Sequence, residues 1–238
     1  MRFSRELDDF GKDRMLIGLL LLAGLLLGVR AWLADHPQHD PWAPLDLNDP
    51  PGWATQRKLA ALRSDPDGCR AVLERSGVAF AALEPAGEGT CRREDRTQLR
   101  DAPFSPARPV TTCPVAAGVQ VWLSQAVQPA ATELLGSPIA RIDHLGTFSC
   151  RRIGGGDNWS EHATGNAIDI AAFVTEDGQR ISVLRDWDGE DTKAEFLRGV
   201  RDGACDVFGT VLSPDYNAAH ADHLHVDQAA RGLGGFCR

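Results

Sequence analysis

The sequence predicts an α+β domain, a mainly antiparallel sheet with flanking helices, preceded by one transmembrane helix. Three observations point there: a long apolar run near the N-terminus, helical spacing in the segments that follow, and alternating, turn-bounded segments toward the C-terminus. The composition is that of a globular protein, with 238 residues, 43% hydrophobic and 24% charged. A wholly disordered chain, a collagen and a multi-span membrane protein are excluded. The formal net charge of −8 gives no sequence-independent attraction to phosphate backbones, so no nucleic-acid partner is expected.

From Met15 to Val29 every residue is apolar or glycine, and Ala31-Trp32-Leu33-Ala34 continues the run after Arg30. As a helix, residues 15–34 span roughly 30 Å, the hydrocarbon thickness of a bilayer. Arg30 can snorkel to the headgroups and Trp32 suits the interface. A signal-peptide cut after Ala34 would put Trp32 at a small-residue position, and the preceding region carries Glu6, Asp8, Asp9 and Asp13. An uncleaved anchor is therefore the expectation, with residues 1–14 cytoplasmic and everything beyond the anchor on the periplasmic or extracytoplasmic side. Residues 35–52 hold Pro37, Pro41, Pro44, Pro50 and Pro51 and read as a semi-rigid linker that stands the domain off the membrane. The cysteines at 69, 91, 113, 150, 205 and 237 all lie in the exported part, where pairing is usual. No CxxC is present, and the sequence cannot choose among the pairings. Sequential bridges (69–91, 113–150, 205–237) are the expectation.

Residues 53–238 form the domain. Ala54 to Leu62 and Cys69 to Arg75 have helical spacing, broken by Asp65-Pro66. Val78 to Leu83 suits a strand, and the charged stretch Arg92 to Arg100 reads as a solvated surface. Thr112 can cap a helix running to about Val127, with Ala130 to Leu135 adding a turn or two. Ile139 to His144 alternates, Thr147 to Ile153 looks extended, and Gly154-Gly155-Gly156 is a loop. Asn166 to Val174 and Arg180 to Leu184 flank Glu176-Asp177-Gly178 as a hairpin. Thr192 to Cys205 is an amphipathic helix, and Val207 to Leu212 and His223 to Val226 supply the last strands.

Four of the seven histidines fall in two segments, Ser160 to Asp169 and His220 to Asp227. On a strand His223, His225 and Asp227 share one face, while Leu224 and Val226 take the other. Asp222 would face away from His223. His162 and Asp169 are roughly 20 Å apart if fully extended. The turn-forming Thr164-Gly165-Asn166 lets the chain double back and bring them together. Two imidazoles and a carboxylate make the three-ligand set of a catalytic zinc site with an open position for water. The alternative is a metal-free network of histidines around a carboxylate.

The pattern Ser-x-His-x-x-Gly-x-Ala-x-Asp followed by His-x-His resembles the zinc-site signature of the LAS peptidases, which include D-alanyl-D-alanine metallopeptidases and the hedgehog domain. His220-Ala-Asp-His223-Leu-His225 is similar to the active-site segment of the penicillin-insensitive murein endopeptidase. More closely, the stretch from Cys69 to Asp227 resembles the bacterial extensin-like C-terminal domain family. Phe148 to Arg151, Ser160 through Asp169, Gly203-Ala204-Cys205 and His220 to Asp227 carry that likeness. The resemblance implies a LAS/hedgehog-like fold and zinc (Zn2+) on His162, Asp169 and His225. It implies His223 beside the metal as proton relay or stabiliser, with His220 the second active-site histidine. Arg151 takes a place like the arginine that holds a substrate oxygen or carboxylate, and Arg152 competes for that role. The acidic general base of the D-Ala-D-Ala enzymes is replaced here by histidines, which leaves the proton transfer unassigned. Asp227 either orients His225 or ends the strand.

The implied function is that of a membrane-anchored zinc peptidase acting on peptidoglycan peptides, as endopeptidase or carboxypeptidase, through metal-activated water. A zinc-bearing wall- or protein-binding module without turnover is the alternative.

Overall fold

The computed structural model describes residues 3–154, 156–231 and 235–238, with side chains from residue 12 onward. Met1 and Arg2 of the expected cytoplasmic N-terminus and Gly155 of the glycine loop lie outside the described residues. Helix α1 (Phe3–Asp35) contains an apolar stretch, Lys12–Asp35, long enough to cross a membrane, with none of its most apolar window buried. Such a helix serves as a membrane anchor or as a signal sequence.

The proline-rich segment does not stand off as a spacer. Leu47 is only 1% exposed and joins the domain core. The Leu47 N–H donates to Ser76 Oγ (3.1 Å), Lys58 Nζ donates to the Pro37 carbonyl (2.8 Å), and Gln125 Nε2 donates to the Asn48 carbonyl (3.2 Å). Prolines favour extended backbone, but Leu45 and Leu47 are apolar side chains that gain by burial.

Helices α2 (Thr55–Ala61) and α3 (Pro66–Arg75) follow. Asp65 caps α3 by accepting from the Gly68 N–H (2.9 Å), and Pro66 takes the first turn, where its missing N–H costs nothing. Cys69, Val72 and Leu73 form the buried stripe. Strands β1 (Phe80–Ala82) and β2 (Thr97–Leu99) make a small antiparallel ribbon. The stretch 92–100 is thus no plain solvated surface: Thr97 and Leu99 alternate inward, and the charged residues around them point out or pair.

Helix α4 (Cys113–Trp122) is buried on nearly every side. It continues through a π turn (Leu123–Val127), the short α5 (Gln128–Ala130) and a second π turn (Ala131–Leu135) to Gly136. Thr112 does not cap it with its side chain. Asp95 accepts from the Cys113 N–H instead, placing a carboxylate where the helix dipole favours one. Thr112 Oγ1 donates to Asn166 Oδ1 (2.8 Å), which ties the head of α4 to the site described below.

The main sheet runs β3-β4-β5-β8-β7-β9, with β6 also paired to β5. Its strands are β3 (Phe104–Ser105), β4 (Ile139–Gly146), β5 (Ala167–Thr175), β6 (Arg180–Ser182), β7 (Thr210–Leu212), β8 (Leu224–Asp227) and β9 (Phe236–Cys237). The expected mainly antiparallel sheet is corrected to a mixed one. The centre is antiparallel, but β3 pairs β4 and β9 pairs β7 in parallel. Both edges are two-residue strands reached by longer connections, and such short segments give no alternation to read. Thr147 to Ile153, expected to be extended, is a loop with one isolated bridge between Arg152 and Trp159. The short α6 (Val183–Asp186) precedes α7 (Thr192–Cys205). Helix α7 packs Phe196, Leu197, Val200 and Ala204 inward and is capped by Asp191, which accepts from the Ala194 N–H. Trp122 donates its indole N–H to the Val200 carbonyl (2.7 Å) and meets Phe173 edge-on, locking helix and sheet together.

The bridges join Cys69 to Cys113, Cys91 to Cys150, and Cys205 to Cys237. Only the last was expected: packing of α3 on α4, rather than proximity in sequence, pairs Cys69 with Cys113, and Cys91, in a 3-10 turn, meets Cys150 in the loop before the His162 turn. Non-reducing peptide mapping is expected to recover the 69–113 and 91–150 cross-linked peptides. Removing the 69–113 bridge is expected to cost about 2–5 kcal/mol of stability in a denaturant titration.

Candidate metal centre

Asp169 on β5 lies directly opposite His225 on β8. Partners in an antiparallel pair share a face, with Cβ atoms about 5 Å apart. Their neighbours Ile168, Ile170, Leu224 and Val226 take the opposite face and are buried in the core. The period-two pattern therefore delivers one acid and one imidazole to the same place.

His162 arrives from a 3-10 turn, Glu161–Thr164. Ser160 Oγ accepts from the His162 N–H (3.3 Å) at its start, and Gly165 ends it with φ of 73°, a conformation that favours glycine. Buried Asn166 fixes the return by donating to Glu161 Oε2 while accepting from Thr112. The doubling back expected between His162 and Asp169 is thus held at both ends.

His162 Nε2, Asp169 Oδ1 and His225 Nδ1 form a small triangle. The two nitrogens lie 3.1 and 2.9 Å from the carboxylate oxygen and 3.0 Å from each other. Protons satisfy this arrangement poorly. If both imidazoles donate to Asp169, their N–H bonds crowd one another. A cation accepts all three lone pairs at once. Tetrahedral zinc spaces such ligand atoms about 3.3 Å apart, a few tenths of an ångström wider than the triangle, so the donor set fits the ion.

The far side of His225 is fixed as well. Its Nε2–H donates to Asp227 Oδ2 (3.0 Å), leaving the Nδ1 lone pair toward the triangle. Asp227 Oδ1 accepts from the Ala229 N–H (2.8 Å). Of the two readings of Asp227, the orienting one matches this geometry. Asp227→Asn is expected to weaken zinc affinity about 10- to 100-fold in a chelator competition titration.

Burial disfavours the charged form of His225, but hydrogen bonds to Asp169 and Asp227 outweigh it and raise its pKa from 6.5 to about 9 in the metal-free protein. Burial likewise disfavours charged Asp169, yet hydrogen bonds from His162 and His225 hold it well below the usual carboxylate range. The raised imidazole contributes stability that is fully present below pH 6.5 and lost as pH rises through about 9. The depressed carboxylate contributes stability above its ordinary range, lost as pH falls through its native value. A zinc ion held by the triangle would displace the proton from His225, so its apparent affinity is expected to rise about tenfold per pH unit up to about pH 9. Competition titrations between pH 6 and 9 check this, and a flat profile would contradict it.

Two further imidazoles stand beside the triangle. His223 Nε2 is 3.6 Å from Asp169 Oδ1, and its Nδ1–H donates to Asp222 Oδ1 (2.8 Å). The expectation that Asp222 faces away from His223 is corrected: β8 begins at Leu224, so strand alternation does not reach His223. His220 lies 5.1 Å from the His223 ring and 6.0 Å from that of His225. Burial, followed by the neighbouring His223 and His225, lowers its pKa to about 4, so it is neutral at neutral pH. Its Nδ1–H donates to Asn217 Oδ1 (2.8 Å).

Arg151 is exposed, and its positive charge is felt at His220. Arg152 instead lies over the Trp159 ring and pairs with Asp157. Of the two arginines, Arg151 is the one whose charge reaches the histidines. The 91–150 bridge and the bond from the Ser149 N–H to the His162 carbonyl (3.0 Å) hold this loop to the centre.

The triangle, the two neighbouring histidines and Arg151 all lie between positions 151 and 227, and residues 67–238 match the family described as Extensin-like protein C-terminus. The chain belongs to that family. No curated protein and no solved structure matches the chain. One partner in this extensin-like domain, Asn217, has no place in the sequence expectations, and Asp222 was expected on the wrong side of its strand. Asn217 carries a visible signal, since an asparagine just before a short helix is a capping residue, and its Oδ1 also accepts from the Ala219 N–H (3.0 Å).

Proposed function

We propose that the extensin-like domain is a zinc-dependent hydrolase of the cell envelope, anchored by α1 and acting on peptidoglycan peptides. The observation that carries this is the triangle of His162 Nε2, His225 Nδ1 and Asp169 Oδ1, with its longest side 3.1 Å. Those three atoms would hold the ion. Bound zinc lowers the pKa of water toward about 7 and polarises an amide carbonyl. His223, with Nδ1–H on Asp222, presents Nε2 beside the centre and is suited to exchange a proton there. His220, held by Asn217, backs that imidazole, and Arg151 supplies a cation for a substrate carboxylate or carbonyl oxygen. The peptide substrate rests on the likeness of Ser160 to Asp169 and His223 to His225 to the LAS signature, and on an exported position. The packed linker gives the domain little reach, so the reading favours substrate close to the membrane.

A second reading has an observation of its own. His223 Nε2 is near enough to Asp169 to complete a closed four-ligand site, as in a binding module without turnover. Incubating the protein, with zinc and with chelator, with cross-linked and linear muropeptides separates the two. Zinc-dependent fragments by mass spectrometry are expected; none across both substrate sets would favour the binder.

A further inference from the structure

A cavity away from the histidines has a composition of its own. It is a groove of about 930 Å³ between the last turns of α1 and the domain. Val29, Trp32 and Leu33 of α1 form one wall, Trp53 and the alanines of α2 the other, and Arg57 and Arg231 stand among them. We propose that this groove binds one anionic phospholipid, with its phosphate on the two arginines and its acyl chains along the apolar wall of α1. The inference rests on α1 being retained as an anchor.

Three observations converge on this occupant. First, neither Arg57 nor Arg231 is in an ion pair among the described residues. Arg231 spends only Nε, on Thr210 Oγ1 (3.0 Å), which fixes the guanidinium without neutralising it. In a chain of net charge −8, two unneutralised arginines in one apolar groove are a specific feature. Second, the groove is continuous with the membrane-crossing stretch Lys12–Asp35, so its apolar wall meets the edge of the hydrocarbon. A soluble peptide or sugar has no such requirement. Third, the junction is built of interfacial side chains. Trp32 stacks on His36 and His39 with ring centres 4.6 and 5.2 Å apart, and Trp53 meets His39 edge-on at 5.1 Å. Trp42 and Trp53 remain 87% and 73% exposed, as residues at a headgroup boundary are. The volume lies at the upper end of small-molecule sites, roughly 300–1,000 Å³, enough for a headgroup and the upper part of its chains.

Native mass spectrometry of the full chain in detergent, titrated with phosphatidylglycerol or phosphatidylcholine, tests this. The expected result is one phosphatidylglycerol per chain, with phosphatidylcholine much weaker. Each arginine near an anionic headgroup contributes roughly fivefold, so Arg57→Gln with Arg231→Gln is expected to weaken phosphatidylglycerol binding about 30-fold. Unchanged thermal unfolding would show that this variant is folded. Equal binding of the two lipids, an unchanged double variant, or displacement by inorganic phosphate would overturn the proposal. The intact mass reports α1 separately: a chain lacking it removes one wall of the groove and overturns the anchor reading, whereas a complete chain without lipid overturns only the lipid site.

Discussion

His162→Ala is expected to abolish stable zinc retention, with affinity falling more than the roughly 100-fold typical of losing a residue that merely orients a ligand. The imidazole supplies one corner of the triangle, and its Nε2 lies within 3.1 Å of both other ligand atoms. No nearby side chain replaces it from the same turn, because Ser160 and Asn166 are committed to capping the turn and fixing its return. Removing it also takes a hydrogen-bond donor from Asp169, so the Asp169 carboxyl rises toward its ordinary range. Dialysis against zinc followed by metal analysis gives the answer, with circular dichroism to confirm that the sheet survives. Full zinc occupancy in the variant would remove His162 from the ligand set.

The second large effect is expected at His223. Its Nε2 is 3.6 Å from Asp169 Oδ1, beside the triangle rather than in it. His223→Ala is therefore expected to keep zinc and to lose turnover on muropeptides by about 10²- to 10⁴-fold, the usual range for a positioned acid or base. Asp222→Asn, which alters only the partner of Nδ1, is expected to move the pH profile of turnover more than zinc content. Loss of zinc in His223→Ala would instead make His223 a fourth ligand and support the binding-module reading.

The centre was more legible in the sequence than the fold around it. Asp169 and His225 each sit in an alternating strand, and alternation fixes which face a side chain takes, so their meeting followed from local pattern. Gly165 announced the turn that returns His162. Asp222 was misplaced because the strand starts one residue later than the histidine it serves, and a boundary leaves no mark in a two-residue period. The same limit hid β3 and β9, whose two residues make the sheet mixed. The cysteine pairing was lost for a different reason. Cys69 meets Cys113 because α3 packs on α4, a tertiary contact that spacing does not encode. The proline-rich segment was misread by composition, which records five prolines but not the burial of Leu47.

Zinc K-edge X-ray absorption on the metal-loaded protein tests the central claim most directly. The expected first shell is nitrogen and oxygen at about 2.0–2.1 Å, with the outer-shell scattering of two imidazoles. A shell of three or more imidazoles, sulfur scattering at about 2.3 Å, or no zinc retained by the wild-type protein would contradict it.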